Sequence, residues 1–111
     1  LRELDPLLVE RYFVGVGNHF CIMDTLKGQI HWECRDILSD EPPVFSPDLV
    51  FLRNNVLTYH PLETLQPAFQ SVVDNLRWGG YLVVGNNEEI PTTGGSLRRI
   101  PEYRGILKKV K

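Results

Sequence analysis

A chain of 111 residues, 42% hydrophobic and 23% charged, has the composition of an ordinary globular protein and is long enough for one domain at most. Its formal charge of -2 and pI near 5.9 exclude the basic footprint of a nucleic-acid binder, since only the closing "LKKVK" is locally basic and reads as a solvated strand end. No run approaches the ~18 apolar residues of a membrane helix, and "LRELDPLLVERYF" lacks a signal peptide's apolar block, so a soluble, cytoplasmic protein without membrane insertion is expected.

Asp5 before Pro6 is an N-cap followed by a proline at the first helical position, and the residues to Tyr12 give a short helix that Gly15 and Gly17 should end. "NHFCIM" is a short apolar run, and Gly28 stops the turn or helix begun in "DTLK". "QIHWECRDIL" alternates Ile30, Trp32 and Cys34 against His31, Glu33 and Arg35, the period-two pattern of a strand, before the loop "SDEPP". Cys21 and Cys34 sit among apolar residues without metal-site spacing, and both are expected to be buried thiols.

"DLVFL", residues 48 to 52, is apolar without alternation, which predicts a parallel strand covered on both faces. Leu62, Leu65, Phe69, Val72, Val73 and Leu76 then mark one face of a helix from Pro61 to Arg77, kinked or restarted at Pro67 and capped by Gly79-Gly80. "YLVVG" is a second buried strand, completing a βαβ unit. After "PTTGG", the runs "SLRRI" and "RGILKKV" are spaced as an antiparallel hairpin. The predicted class is α/β, with an antiparallel finish at one edge of the sheet.

Open parallel sheets bind ligands at the carboxyl ends of their strands, which directs attention to three polar stretches. In the first, Asp36 has the chemistry to accept from an exocyclic amine while the Ile37 N–H donates to a ring nitrogen; the same aspartate equally suits the capping of a turn in "DILSD". In the second, Arg53 can fix a carboxylate bidentately and Asn54 can hold a ribose or a carboxylate, or the asparagines make a turn while Arg53 pairs with Glu88 or Asp36. Tyr59 can line a small-molecule pocket, and His60 can titrate near neutrality, although lone residues of these types are more often packing or surface. The third stretch is Asn86-Asn87-Glu88. No glycine-rich phosphate loop and no nucleophile motif is present in the sequence.

The stretch "CRDILSDEPPVFSPDLVFLRNNVLTYHPLETLQPAFQSVVDNLRWGGYLVVGNNEEIP" resembles the C-terminal half of the CheR-type methyltransferases, whose pattern is close to "DLILCRNVLIYF", a helix, then "LRPGGYLFLGHSE". The preceding segment from Leu4 also looks like that family's, so the resemblance covers about residues 4 to 91. It implies a partial class I methyltransferase, Rossmann-like sheet that uses S-adenosylmethionine and methylates glutamate carboxylates of a protein substrate. It also implies that Asp36 and Ile37 hold the adenine, that Arg53 and Asn54 stand beside the cofactor, and that Tyr59 lies near methyl transfer, with Arg53 and Tyr59 as the catalytic pair. Asn55 is one residue more than the pattern has, His60 stands where the family has Phe, Trp78 replaces Pro, and Asn86-Asn87 replace His-Ser before Glu88. These departures bear on the methyl acceptor more than on the fold.

The chain opens without an initiator methionine and reads as a piece of a longer protein, a single incomplete domain over residues 1–111. The family's glycine-rich loop and ribose-binding acid would lie upstream of Leu1, so the piece should be inactive alone and should carry exposed sheet edges open to self-association. The alternative is a non-catalytic α/β protein-interaction module derived from the same fold.

Overall fold

The computed structural model describes residues 3–41, 45–53, 57 and 60–111. They form two compact units, Leu1–Cys34 and Arg35–Lys111.

In the first unit, helix α1 (Pro6–Tyr12) starts as the sequence requires: the Asp5 carboxylate accepts the Leu7 N–H at 2.9 Å, and Pro6 fills a position whose N–H would have no helical partner. The helix ends at Tyr12, ahead of the expected glycines. Strands β1 (Phe13–Val16) and β2 (His19–Ile22) follow as an antiparallel hairpin, and Gly17, at φ +58°, makes its turn instead of closing the helix. Helix α2 (Asp24–Lys27) is a single turn before Gly28. Two expectations fail here. Residues 30–36 carry no strand, and Ile30 and Trp32 are exposed, because alternation alone cannot make a strand without a neighbour for its backbone groups. Cys21 and Cys34 are free but exposed, not buried, since Cys21 lies on a two-stranded hairpin whose apolar side chains are themselves largely exposed.

The second unit holds a four-stranded sheet in the order β3-β4-β6-β5, where β3 is Leu49–Phe51, β4 Tyr81–Val83, β5 Leu97–Ile100 and β6 Tyr103–Lys109. β3 and β4 are parallel, as the expected crossover demands, and β6 runs antiparallel to both β4 and β5. Helix α3 (Leu62–Asn75) is the crossover. It contains Pro67 without restarting, and turns Leu65, Ala68, Phe69 and Val73 inward. These side chains, with Leu76, meet Leu52, Leu82, Val84 and Leu107 in one core, each side chain contributing ~1.5–3 kcal/mol of transfer free energy.

α3 ends on Leu76, earlier than Gly79-Gly80, and the Lys109 ammonium supplies what the glycines were expected to. It donates to the Asp74 and Leu76 carbonyls at 3.1 and 2.8 Å, satisfying helix-end oxygens with the charge that the helix dipole favours. The expectation that β3 is covered on both faces is also corrected. Val50 packs on the core side, whereas Leu49 and Phe51, with Tyr81 beside Leu49, point to the opposite face and are exposed. Among the described residues of this unit, α3 is the only helix longer than one turn laid against the sheet. No described helix is long and apolar enough to cross a membrane.

Candidate functional site

Three segments at or near the carboxyl end of the parallel pair present polar groups. Arg53 follows β3 by two residues and is exposed. Beyond it, Leu57 is buried and His60 exposed, while Asn54 and Tyr59, both expected site residues, lie outside the described residues. A hollow of about 540 Å³ separates the stretch from Leu57 to Leu62 from the loop Asn87, Glu88 and Glu89 that follows β4. This crevice lies beyond the carboxyl ends of β3 and β4, the side on which open parallel sheets take their ligands.

The loop after β4 is closed by its own glutamate. The Gly85 N–H donates to Glu88 Oε1 at 2.6 Å, and the Glu88 N–H donates back to the Gly85 carbonyl at 3.1 Å. A Cβ on residue 85 would stand 2.6 Å from that carboxylate oxygen, so any larger residue there would push the Glu88 side chain out of this bond. Glu88 and His60 both line the crevice; each belongs to a polar stretch the sequence singled out, though neither was given a catalytic or cofactor-binding role. The signal for the loop is the one that marks β3: a buried apolar strand that breaks abruptly into Asn, Asn and Glu.

Asp36 and Ile37 sit in a tight turn that both flanking aspartates close. Asp36 Oδ1 accepts the Leu38 N–H at 3.0 Å, its carbonyl accepts the N–H groups of Ser39 and Asp40, and its own N–H donates to Asp40 Oδ2 at 2.7 Å. The turn-capping alternative is thus realised; it leaves the carboxylate exposed and Ile37 packed against the core. Both residues line a second, larger hollow of about 650 Å³. Pro47, Leu49, Val50 and Asn75 also line it, which places it along the flank of β3, and none of its lining residues is shared with the crevice. Arg53 lines neither hollow among the described residues. The geometry brings Asp36 together with Ile37 and, electrostatically, with His60; it does not bring Arg53 to them.

The Leu38 N–H, and after it the Ser39 hydroxyl, hold the Asp36 carboxyl below the usual carboxylate range; slight desolvation opposes them, and the His60 charge adds to the lowering. Because the folded value is depressed, the turn gains stability above the unfolded aspartate value of about 3.9 and loses it as pH falls through the lower, folded one. An NMR titration of the Asp36 carboxyl should show a midpoint below that value. Because the His60 charge adds to the lowering, His60→Ala should move the midpoint upward; an unmoved midpoint would place His60 too far from the turn to matter.

Residues 1–105 match the family model for the CheR methyltransferase, SAM binding domain. Chemotaxis protein methyltransferases of Listeria innocua serovar 6a and Listeria monocytogenes serovar 1/2a are each 31% identical over 90 residues, which cover 81% of this chain and 34% of their own lengths. The chain spans about a third of the length of the curated relatives it matches. On the match across nearly all of its residues, the chain belongs to the CheR methyltransferase family, in the domain that takes S-adenosylmethionine as cofactor.

Proposed function

We propose that the intact protein is an S-adenosylmethionine-dependent methyltransferase acting on glutamate carboxylates of a protein substrate in the cytoplasm. In this reading, both units of this chain form the C-terminal part of one incomplete domain. The observation that carries it is the family match across residues 1–105, in a chain whose β3 and β4 end at a crevice lined by His60 and the Glu88-closed loop.

The residues present fit the adenosyl end of that cofactor. An exposed carboxylate beside a half-buried isoleucine offers one acceptor and one apolar wall, at a hollow of the size small ligands occupy. Asp36 would accept from the exocyclic amine, Ile37 would pack on the ring and donate its N–H, and Arg53 and Asn54 would orient the cofactor from the end of β3. Tyr59 would line the approach of the acceptor carboxylate. The sulfonium of S-adenosylmethionine supplies an electrophilic methyl group, so this chain's residues need only position and desolvate the acceptor. The grip on the methionine end, a glycine-rich loop, has no counterpart in these 111 residues and would come from elsewhere in the intact protein.

Isothermal titration with S-adenosylhomocysteine tests this. The intact protein is expected to bind at micromolar levels, and Asp36→Ala should weaken binding about tenfold, the cost of a lost charged hydrogen bond. The 111-residue chain alone should bind at millimolar levels or not at all. Submicromolar binding by the short chain would show that it is not part of a divided pocket, and no binding by the intact protein would end the enzyme reading in favour of an interaction module.

A further inference from the structure

Charge is segregated along this chain. The segment 97–111, which forms the β5–β6 hairpin, carries six of the 12 cationic residues, Arg98, Arg99, Arg104, Lys108, Lys109 and Lys111, against Glu102 alone of the 14 acidic ones. An overall charge of -2 therefore conceals a strongly basic region at one side of the sheet.

The strand register sorts these cations. Leu82 and Leu107 are paired and buried on the α3 side, so Tyr81 and Lys108, paired next to them, lie on the opposite face with Arg98, which stands directly across from Lys108. Alternation along β6 puts Arg104 on that face too. Two of the other cations have tasks elsewhere: Lys109 caps α3, and Arg99, opposite Leu107 on the α3 side, donates to the Arg104 carbonyl. Arg98 and Arg104 are exposed, and Lys108 is half-buried with its ammonium 5.8 Å from the centre of the Tyr81 ring. Keeping an edge strand from pairing accounts for Arg98 but not for Arg104 and Lys108, which belong to the internal strand β6. Like charges directly opposite each other repel, and a carboxylate laid between Arg98 and Lys108 replaces that repulsion with two attractions.

The same three cations start beside the crevice. The Val84 N–H donates to the Gly105 carbonyl at 2.7 Å, and a Cβ on residue 105 would stand 2.9 Å from Asn86 Oδ1, so the residue after Arg104 abuts the loop whose Asn87, Glu88 and Glu89 line the hollow. With Glu88 and Glu89 at the hollow, further carboxylates on an acceptor segment need their cations outside it, and Arg104 is the first such group along β6. We propose that Arg104, Lys108 and Arg98 form a docking strip for an acidic segment of the acceptor protein, held alongside the crevice while one of its glutamates is methylated. The proposal rests on the reading of the acceptor as a protein carboxylate and assigns that protein a second, acidic point of contact.

Fluorescence anisotropy of the intact protein tests this with a labelled peptide of alternating Glu and Ala as the probe. A dissociation constant on the order of 10–100 µM is expected at low salt, rising with ionic strength. The same peptide with Gln for every Glu should not bind. Reversing two charges of the strip, Arg98→Glu with Arg104→Glu, should weaken peptide binding at least about tenfold and leave S-adenosylhomocysteine binding unchanged, whereas Arg99→Ala, on the other face, should alter neither. Undiminished peptide binding by the doubly reversed protein, equal binding of the Gln peptide, or capture by phosphatidylserine vesicles in preference to the peptide would each overturn the proposal. So would a loss of S-adenosylhomocysteine binding on reversal, since the hairpin would then belong to the cofactor site. If the unaltered intact protein failed to bind S-adenosylhomocysteine yet held the peptide through Arg98 and Arg104, the methyltransferase reading would fall and the strip would stand as an acidic-peptide site.

Discussion

Phe69→Ala is expected to cost the unit Arg35–Lys111 about 3–5 kcal/mol of stability. Phe69 is 2% exposed and projects from the middle of α3 into the core that includes Leu82, Val84 and Leu107. Removing a buried aromatic ring costs the lost transfer free energy and leaves a cavity that neighbours fill only in part, together ~3–5 kcal/mol. A unit of this size has a total stability of roughly 5–10 kcal/mol, so the loss is a large share of it. The control is Leu62→Ala on the same helix, where the side chain is 38% exposed and the loss should stay below about 1 kcal/mol. Urea unfolding followed by far-UV circular dichroism measures both. Equal losses at the two positions would mean that α3 does not dock by the face that carries Phe69.

That face was legible in the sequence because helical periodicity reports directly on burial. Leu65, Phe69, Val73 and Leu76 recur at spacings that only one side of a helix satisfies, and all four are buried. The same holds for "DLVFL" and "YLVVG", whose uninterrupted apolar runs announce parallel neighbours, and for the hairpin "SLRRI" with "RGILKKV". The reading of "QIHWECRDIL" failed for the complementary reason. Alternation describes a strand's two faces but not its edges, and residues 30–36 are not paired as a strand. Cys21 and Cys34 failed similarly, since apolar neighbours in sequence bury a side chain only when another layer covers them. The helix C-cap was misread because Lys109, 33 residues beyond Leu76, satisfies its carbonyls, a contact no local pattern contains.

The site divides along the same line. Strand ends that break into polar residues were visible at Arg53 and again after β4, and the rule that ligands gather there needs only the strand direction. What local reading could not supply was the closure of Gly85 by Glu88, which sets Glu88 at the crevice, or the electrostatic reach of His60 to Asp36. The first is a contact three residues long that no apolar pattern marks, and the second links residues far apart in the chain. Asp36 was legible in chemistry but ambiguous in role, and the structure shows why the two roles coexist: the carboxylate that caps its turn through Leu38 remains exposed at the mouth of a hollow.

Arg53→Ala in the intact protein is expected to lower kcat/KM for methyl transfer about a hundredfold, equivalent to ~2.7 kcal/mol of transition-state stabilisation. Arg53 leaves the carboxyl end of β3 exposed, at the position where the proposed cofactor site requires a fixed cation. A guanidinium there orients its anionic partner through two parallel donors, which an ammonium cannot reproduce, so Arg53→Lys should recover less than a tenth of the lost activity. The division of the effect identifies the partner. A raised KM for S-adenosylmethionine at unchanged kcat would assign Arg53 to holding the cofactor, whereas a fall in kcat at constant KM would assign it to the acceptor carboxylate in the transition state. Arg99→Ala, on the opposite edge of the sheet, should alter neither parameter. If Arg53→Ala behaved like Arg99→Ala, the crevice would have to be rebuilt around His60 and Glu88, two side chains that already line the hollow beyond the carboxyl ends of β3 and β4.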